Sequence, residues 1–150
     1  MGEKKSVGPH QLWYEEETGF VCFVHNGTLN EHELEELGEF VNSCRARVPG
    51  EALFLLADDR KATGVSHDAR KSIATSPSFH VGTTYVGIFG ASFALRVVLN
   101  LFFKAIALSS SPSATMFAAD DEAEARAWLA QQKRAYYAKL GGSASSSTQA

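Results

Sequence analysis

The chain has 150 residues, of which 45% are hydrophobic and 21% are charged, proportions that are ordinary for one globular domain with a sizeable core. The formal net charge is −3 and the sequence has no basic block, which argues against nucleic-acid binding. Two cysteines, Cys22 and Cys44, make no disulfide framework, and we expect both to be reduced in a cytoplasmic protein.

The two ends of the chain differ in composition from the part between them. Residues 1–10 are polar, lack the apolar run of a secretory signal and are predicted to be flexible. They match the N-myristoylation pattern at Gly2 and Ser6, a short pattern that often occurs by chance. Residues 141–150 are rich in Gly and Ser and are predicted to be disordered. Residues 11–140 are therefore expected to form one domain.

Strand and helix patterns alternate along this domain. QLWYEEE and FVCFVHN are short β-rich runs separated by Thr18-Gly19, which predicts a hairpin with an exposed first strand. A helix is predicted from Asn30 to Arg47, with Asn30 as its cap and Glu33 completing a capping box. The continuous apolar run ALFLLAD indicates a strand that is covered on both faces.

The second half of the chain continues the alternation. A helix is predicted from Ser66 to Ser76, with Ser66 as its cap and Pro77 as its stop. The remaining predicted elements are a strand over Thr84–Phe89, a helix over Gly90–Leu108, a strand over Ala114–Phe117 and a helix over Asp120–Leu140. This order predicts an α/β fold with a mixed, mostly parallel sheet of about five strands and about four helices.

The stretch Gly90–Leu108, GASFALRVVLNLFFKAIAL, is more apolar than a helix on one sheet requires. It has fewer than ~20 residues and carries Arg96, Asn100 and Lys104, so we do not expect it to span a bilayer. Those three residues form one narrow polar stripe, and the apolar arc is roughly twice the ~100° of an ordinary surface helix. Either only the polar stripe meets water, or the surplus apolar surface binds an apolar ligand, a second subunit or a membrane surface.

The binding interpretation makes particular residues of this helix candidates. The helical wheel places Leu99 and Phe103 beside the polar stripe on one side, and Phe93 and Val97 beside it on the other. Arg96 and Lys104 would suit lipid phosphates, or they are solubilising charges only. The candidate ligand-binding residues along the helix 92–108 are therefore Phe93, Arg96, Val97, Leu99, Asn100, Phe103 and Lys104.

No set of residues in the sequence predicts an enzyme. Asp58 and Asp59 at a strand end would need further oxygen ligands to hold Mg²⁺, and their basic neighbours are sufficient to neutralise them. The five histidines lack zinc-ligand spacing, so no metal or other cofactor is expected. The run SHD at 66–68 is not a catalytic triad, because adjacent residues of a helix face different directions.

Three stretches carry a family resemblance: ALFLLADDRKATGVSHDAR, GASFALRVVLNLFFKAI and MFAADDEAEARAWL. They resemble the SpoIIAA-like family of the STAS superfamily, and the resemblance extends over about Leu12–Gln132. It implies an α/β sandwich with about five strands and helices on one side, similar to CRAL-TRIO lipid-transfer domains. It also implies a bacterial, non-catalytic regulatory or binding domain, which we expect to bind a small apolar molecule or lipid beside the helix 92–108.

The same resemblance offers an alternative function. Well-studied members are anti-sigma-factor antagonists that are phosphorylated on a serine in an Asp-Ser-type loop, at the start of the helix after the third strand. Here no serine directly follows Asp58 and Asp59, so Ser66 or Thr63 would have to accept the phosphate of a protein–protein switch. A plain helix cap is the other interpretation of Ser66. The expected partners are thus an unidentified protein, an apolar molecule or lipid, or a second copy, with at most peripheral membrane contact.

Overall fold

The computed structural model describes residues 4–47, 52–75, 83–109 and 114–149. In chain order its elements are β1 (Lys5–Val7), β2 (His10–Glu15), β3 (Phe20–Leu29), α1 (Glu31–Arg45), β4 (Leu53–Val65), α2 (His67–Thr75), β5 (Thr84–Phe89), α3 (Phe93–Ser109), β6 (Ala114–Ala119) and α4 (Glu122–Gln149). The predicted alternation and the mixed α/β class are confirmed, with one strand more than expected.

All the strands belong to one sheet, in the order β1-β2-β3-β4-β5-β6. The pairs β1–β2 and β2–β3 are antiparallel, and the pairs from β3 to β6 are parallel. Right-handed crossovers in a sheet that grows in one direction place their helices on the same face. Accordingly, one core cluster joins Leu34 of α1, Ala69 of α2 and Leu95 of α3 to Phe23 and Val86 of the sheet.

α4 packs on the opposite face, which corrects the expectation of helices on one side only. A second core cluster joins Ala125 and Leu129 of α4 to Phe54 and Phe89 of the sheet. α4 follows the last strand of the sheet and has no further strand to return to, so it is free to cover the second face. Gly87 of β5 allows a close approach, because a Cβ there would lie 3.1 Å from Leu129 Cγ.

The sheet begins earlier than predicted, since residues 5–7 form an edge strand instead of a flexible terminus. Val7 is buried and pairs with His10 across the two-residue turn Gly8-Pro9, in which Gly8 has φ +57°. Glycine at the first central position suits the type II′ turn of tight hairpins. The prediction missed β1 because three residues carry too little periodicity to identify a strand.

β4 is longer than predicted and includes the segment that was expected to be a loop. Its second half stays parallel to β3, with Asn26 opposite Lys61, after register shifts that mark bulges. Bulges break the two-residue alternation by which a strand is recognised in a sequence. Asp58 and Asp59 therefore lie inside a strand and not in a loop after it.

The predicted start of α1 agrees with the structure, whereas the predicted end of α4 does not. The capping box of α1 is present, because Glu33 N–H donates to Asn30 Oδ1 (2.8 Å) and Asn30 N–H donates to Glu33 Oε1 (3.1 Å). α4 continues to Gln149, past its predicted end at Leu140, and the boundaries of the domain stay a prediction. Some predicted features lie outside the described residues: Gly2, Ser76 and Pro77.

Candidate functional site

α3 is fixed to the sheet by its first turn and by one buried side. Ser92 caps it, since Leu95 N–H donates to Ser92 Oγ at 3.2 Å. Gly90, at φ +79°, turns the chain into the helix, and a Cβ there would lie 3.1 Å from the backbone of Arg60. Leu95 and Leu99 are buried beneath the helix, at 5% and 9% exposure. The orientation of α3 about its own axis is therefore set by these two leucines.

The side of α3 that points away from the sheet is apolar. Phe93, Val97 and Leu101 follow one another at intervals of four residues and are 82%, 42% and 64% exposed. Ala94 and Val98 are also exposed and widen this strip. We call these five residues the outer face of α3. At about 100° per residue, the outer face lies opposite the buried side of the helix.

The polar stripe of α3 forms only one border of the outer face. Arg96 extends from this stripe to the end of β6, where its Nη2 donates to Ala119 O (3.0 Å) and to Asp120 Oδ1 (3.2 Å). Arg96 thus ties α3 to the connection between β6 and α4. Asn100 and Lys104 are exposed farther along the same stripe.

The structure divides the candidate residues of this helix between solvent and core. Phe93 and Val97 lie on the outer face, and Arg96, Asn100 and Lys104 lie along its polar border. Leu99 and Phe103, the candidates on the other side of the polar stripe, lie against the core, because Leu99 is buried and Phe103 packs against the same cluster. A helical wheel gives the angles between residues but not the direction of the sheet, and the polar stripe was a misleading marker of the outward side. The sequence prediction missed the remaining members of the outer face: Ala94, Val98 and Leu101.

The predicted phosphate acceptors lie at and before the start of α2. Ser66 is half-buried and caps the helix, since Ala69 N–H donates to its Oγ at 3.1 Å and Arg70 N–H to its carbonyl at 3.0 Å. Thr63 is exposed, with its Oγ1 2.9 Å from Thr28 Oγ1. The structure gives Ser66 the geometry of a cap, and its phosphorylation stays a prediction.

A buried polar cluster, which the sequence did not predict, lies where β2, β3 and α1 meet. The ring of His10 is fully buried, and its Nδ1 accepts from Asn26 N–H at 3.0 Å. The proton of this ring is therefore on Nε2, which donates to Glu33 Oε1 at 3.1 Å. Burial lowers the pKa of His10 below its ordinary value of 6.5, more than the hydrogen bond and charge of Glu33 raise it. The cluster joins the first hairpin to the start of α1 through neutral His10.

The two aspartates of β4 do not form a joint site. Asp58 is paired with Arg60 at 2.7 Å, which lowers the pKa of its carboxyl. Asp59 is 3% exposed, lies 3.6 Å from His25 Nδ1, and its Oδ1 has no hydrogen-bond partner among the described residues. In the same part of the chain, no group of three or more His, Cys, Asp or Glu side chains is arranged to hold a metal ion. Consecutive residues of a strand face opposite ways, which explains why the pair separates.

Two solved structures are similar to this chain at low sequence identity. No family profile and no curated protein sequence matches the chain. The chain is similar to the unphosphorylated form of the anti-sigma factor antagonist SpoIIAA, with 12% identity and a TM-score of 0.45 over 83% of this chain and 94% of that one. It is also similar to an uncharacterised protein of the DUF3478 family from Shewanella loihica PV-4, which has a SpoIIAA-like fold. There the identity is 16% and the TM-score 0.48, over 85% of this chain and 99% of that one. At such low identity and TM-score, neither structure says what this chain binds.

Proposed function

We propose that this chain is a non-catalytic regulatory domain that binds a partner protein through the outer face of α3. The supporting observation is the outer face itself, on which Phe93, Val97 and Leu101 are exposed side by side. Single exposed apolar residues are common, but a contiguous apolar patch on a helix is typical of an interaction surface. The opposite side of the same helix already supplies the core, so the fold does not need these side chains for burial.

The partner is expected to present an apolar helix or groove bordered by carboxylates. α3 contains Arg96 and Lys104 and no acidic residue, and Arg70 of the neighbouring helix α2 is exposed. From Phe93 to Leu101 the outer face is about 12 Å long, which matches about two turns of a facing helix. Charge and length thus favour a protein helix or groove of complementary chemistry.

A lipid or a small apolar ligand suits the outer face less well. Helices that lie on membranes carry many cations on their polar side, whereas α3 has two, and Arg96 is paired with Asp120. The chain as a whole has a net charge of −3, which opposes attraction to anionic lipids. Small molecules bind in concave pockets, and the outward side of a helix is convex. Among the described residues, no helix has the length and hydropathy needed to cross a membrane.

The proposal is tested by photo-crosslinking from the outer face. A photoreactive leucine analogue is placed at Leu101 and, as a matched control, at Leu140, an exposed leucine of α4. We expect position 101 alone to give an adduct in the source cells, with the crosslinked peptide apolar and flanked by Asp or Glu. Binding of that purified partner is then expected to be lost in Leu101→Asp and kept in Leu140→Asp, with both variants folded by circular dichroism.

Other outcomes would contradict the proposal. Equal crosslinking from both positions would mean that the outer face has no special role. Sedimentation with phosphatidylserine vesicles that is lost in Phe93→Asp would assign the outer face to a membrane instead. A bound apolar molecule in the native mass spectrum, displaced by the same substitution, would assign it to a small ligand.

A phosphorylation-controlled version of this binding is a second candidate. Ser66 is half-buried at the N-terminus of α2, where a phosphate is favoured by the helix dipole, and α2 packs beside α3. If Ser66 is a switch, Ser66→Asp and Ser66→Ala will bind the purified partner with different affinities. Equal affinities of the two variants would leave Ser66 with its role as a cap.

A further inference from the structure

A second surface, distant in the sheet order from α3, has the composition of an anion site. An open cleft of about 380 Å³ lies between the edge strand β1, the adjacent β2 and the end of α1. Three cationic side chains, Lys4, Lys5 and Arg47, line it together with Tyr14 and Phe40. A cleft of this size is within the range of small-molecule sites.

The charge of the cleft is unusual for this chain. The sequence has 17 acidic and 14 basic residues, yet none of the described residues that line the cleft is a carboxylate. Three arginines elsewhere in the fold are ion-paired: Arg60 with Asp58, Arg96 with Asp120, and Arg126 with Glu15. The three cations of the cleft make no ion pair with any carboxylate of the described residues. Within the part of the chain that the structure describes, no carboxylate therefore compensates their positive charge around this concave surface.

Two of these cations make cation–π contacts with aromatic rings, which do not neutralise their charge. The Arg47 guanidinium lies 5.4 Å from the centre of the Tyr14 ring, and Lys4 Nζ lies 4.7 Å from that of Trp13. Cation–π contact occupies one side of each cation and leaves N–H groups free to donate to an anion. The rings of Tyr14 and Phe40 also offer apolar surface within the cleft.

We propose that this cleft binds a small phosphate monoester that carries an aromatic ring. The phosphate dianion would be held by Lys5 and Arg47, and the ring would pack on Tyr14 and Phe40. Lys4, whose Nζ lies over Trp13, would contribute only long-range positive charge. Charge-assisted hydrogen bonds from Arg to phosphate are among the strongest in proteins. At the neighbouring C-terminus of α1, Cys44 O accepts from Arg47 N–H at 3.0 Å, which satisfies one of the terminal carbonyl groups.

The test is an NMR titration of the full chain with phenyl phosphate, inorganic phosphate and phenol. We expect phenyl phosphate to bind most tightly, with the largest amide shifts at Tyr14, Ser43 and Arg47. Arg47→Gln and Lys5→Gln are each expected to weaken binding by about tenfold or more, the effect of one lost hydrogen bond to a charged group. Lys139→Gln, which removes an exposed lysine of α4, is the matched control and is expected to bind like the native chain.

Several results of this titration would contradict the proposal. If Arg47→Gln and Lys139→Gln bind alike, or if phenol binds as tightly as phenyl phosphate, the cleft is not a phosphate-ester site. If phenyl phosphate shifts the amides of lysines over the whole surface, its binding is general charge attraction. That result would overturn the proposal. Vesicles of phosphatidic acid form a separate arm, and binding to them without binding to phenyl phosphate would assign the cations to a lipid headgroup and overturn the small-molecule proposal.

Discussion

At the scale of single residues, His10 shows how a buried titratable group is used in this fold. Both of its ring nitrogens are hydrogen-bonded, to Asn26 N–H and to Glu33, and the ring has no exposed surface. Its ring also contacts Phe23 and His25, with centroid distances of 5.7 and 5.4 Å. Protonation of Nδ1 would break the bond from Asn26 inside the core, so the neutral ring is the form that the fold favours.

We therefore expect His10 to titrate below pH 6.5 in the folded chain. Because its folded pKa is lowered, the unfolded chain takes up the proton first as the pH falls. The contribution of His10 to the free energy of unfolding is complete above pH 6.5 and decreases below it, until the folded ring is protonated as well. A site-resolved NMR titration of the ring measures this, and a midpoint at or above 6.5 would contradict the buried, neutral assignment.

Gly87 gives a second prediction at this scale. In Gly87→Ala the new Cβ would lie 3.1–3.3 Å from the Leu129 side chain and the Ala125 carbonyl, so α4 must shift away from the sheet. We expect a loss of about 1–3 kcal/mol in the free energy of unfolding, as for other overpacked cores. Gly141→Ala is the control, since nothing lies within 4 Å of its Cβ and alanine favours a helix by up to ~1 kcal/mol. Urea unfolding measures both variants, and equal stabilities would contradict the close approach of α4.

At the scale of elements, the hairpin of β2 and β3 is clamped to α4 by one ion pair. Arg126 donates to both carboxylate oxygens of Glu15, at 2.7 and 3.0 Å, and Thr18 Oγ1 donates to the same carboxylate at 2.7 Å. These bonds, chiefly those from Arg126, lower the pKa of Glu15 to about 2. Glu15 was predicted only as the start of an exposed, acidic strand end, and its partner is 111 residues away in the sequence.

This clamp predicts a defined loss of stability in acid. A carboxyl whose folded pKa is lowered stabilises the fold above its unfolded pKa, near 4.5, and the contribution is lost as the pH falls towards 2. We expect Glu15→Gln to cost about 1.5–3 kcal/mol at pH 7, the range for a hydrogen bond to a charged group. The difference from the native chain should shrink between pH 4.5 and pH 2 in urea unfolding. A difference that is independent of pH would show that the clamp contributes nothing through its charge.

The success of sequence prediction also differs from element to element. Capping residues and periodicity identified α1 and β5, because those signals are local. The extension of β4 was not predictable, since a polar residue such as Lys61 is held in the strand by pairing with Asn26 of β3. Leu99 lies in the core although the helical wheel places it beside the polar stripe, because the position of the sheet decides which side of α3 points outward. Local chemistry thus predicted the elements and their order, and tertiary contacts determined which side chains are available for binding.

At the scale of the whole molecule, the sheet separates two cores that are covered by different numbers of helices. β4 and β5 lie between them and contribute to both, with Ala57 and Val86 in one cluster and Phe54 and Phe89 in the other. β1 and β6 are the edges of the sheet. Protection from local opening should therefore decrease from the centre of the sheet outwards.

Hydrogen exchange is expected to follow this arrangement. The amides of Leu53–Ala57 and Tyr85–Phe89 should exchange most slowly, because their strands are paired on both sides and covered on both faces. The amides of β1 and β6 should exchange faster. Slow exchange at either edge, with fast exchange through Phe54, would contradict the order of the sheet.

The sequential order of the strands also has a consequence for biosynthesis. Each strand pairs with the one made just before it, so no strand has to be inserted between two that are already joined. The sheet can therefore grow at its free edge while the ribosome extends the chain, since synthesis runs from the N-terminus. α4 is made last, and until it docks, the apolar face containing Phe54 and Phe89 is open to water. The nascent chain thus has one side finished early and one side exposed until the end of translation, and that second side is where a chaperone would be needed.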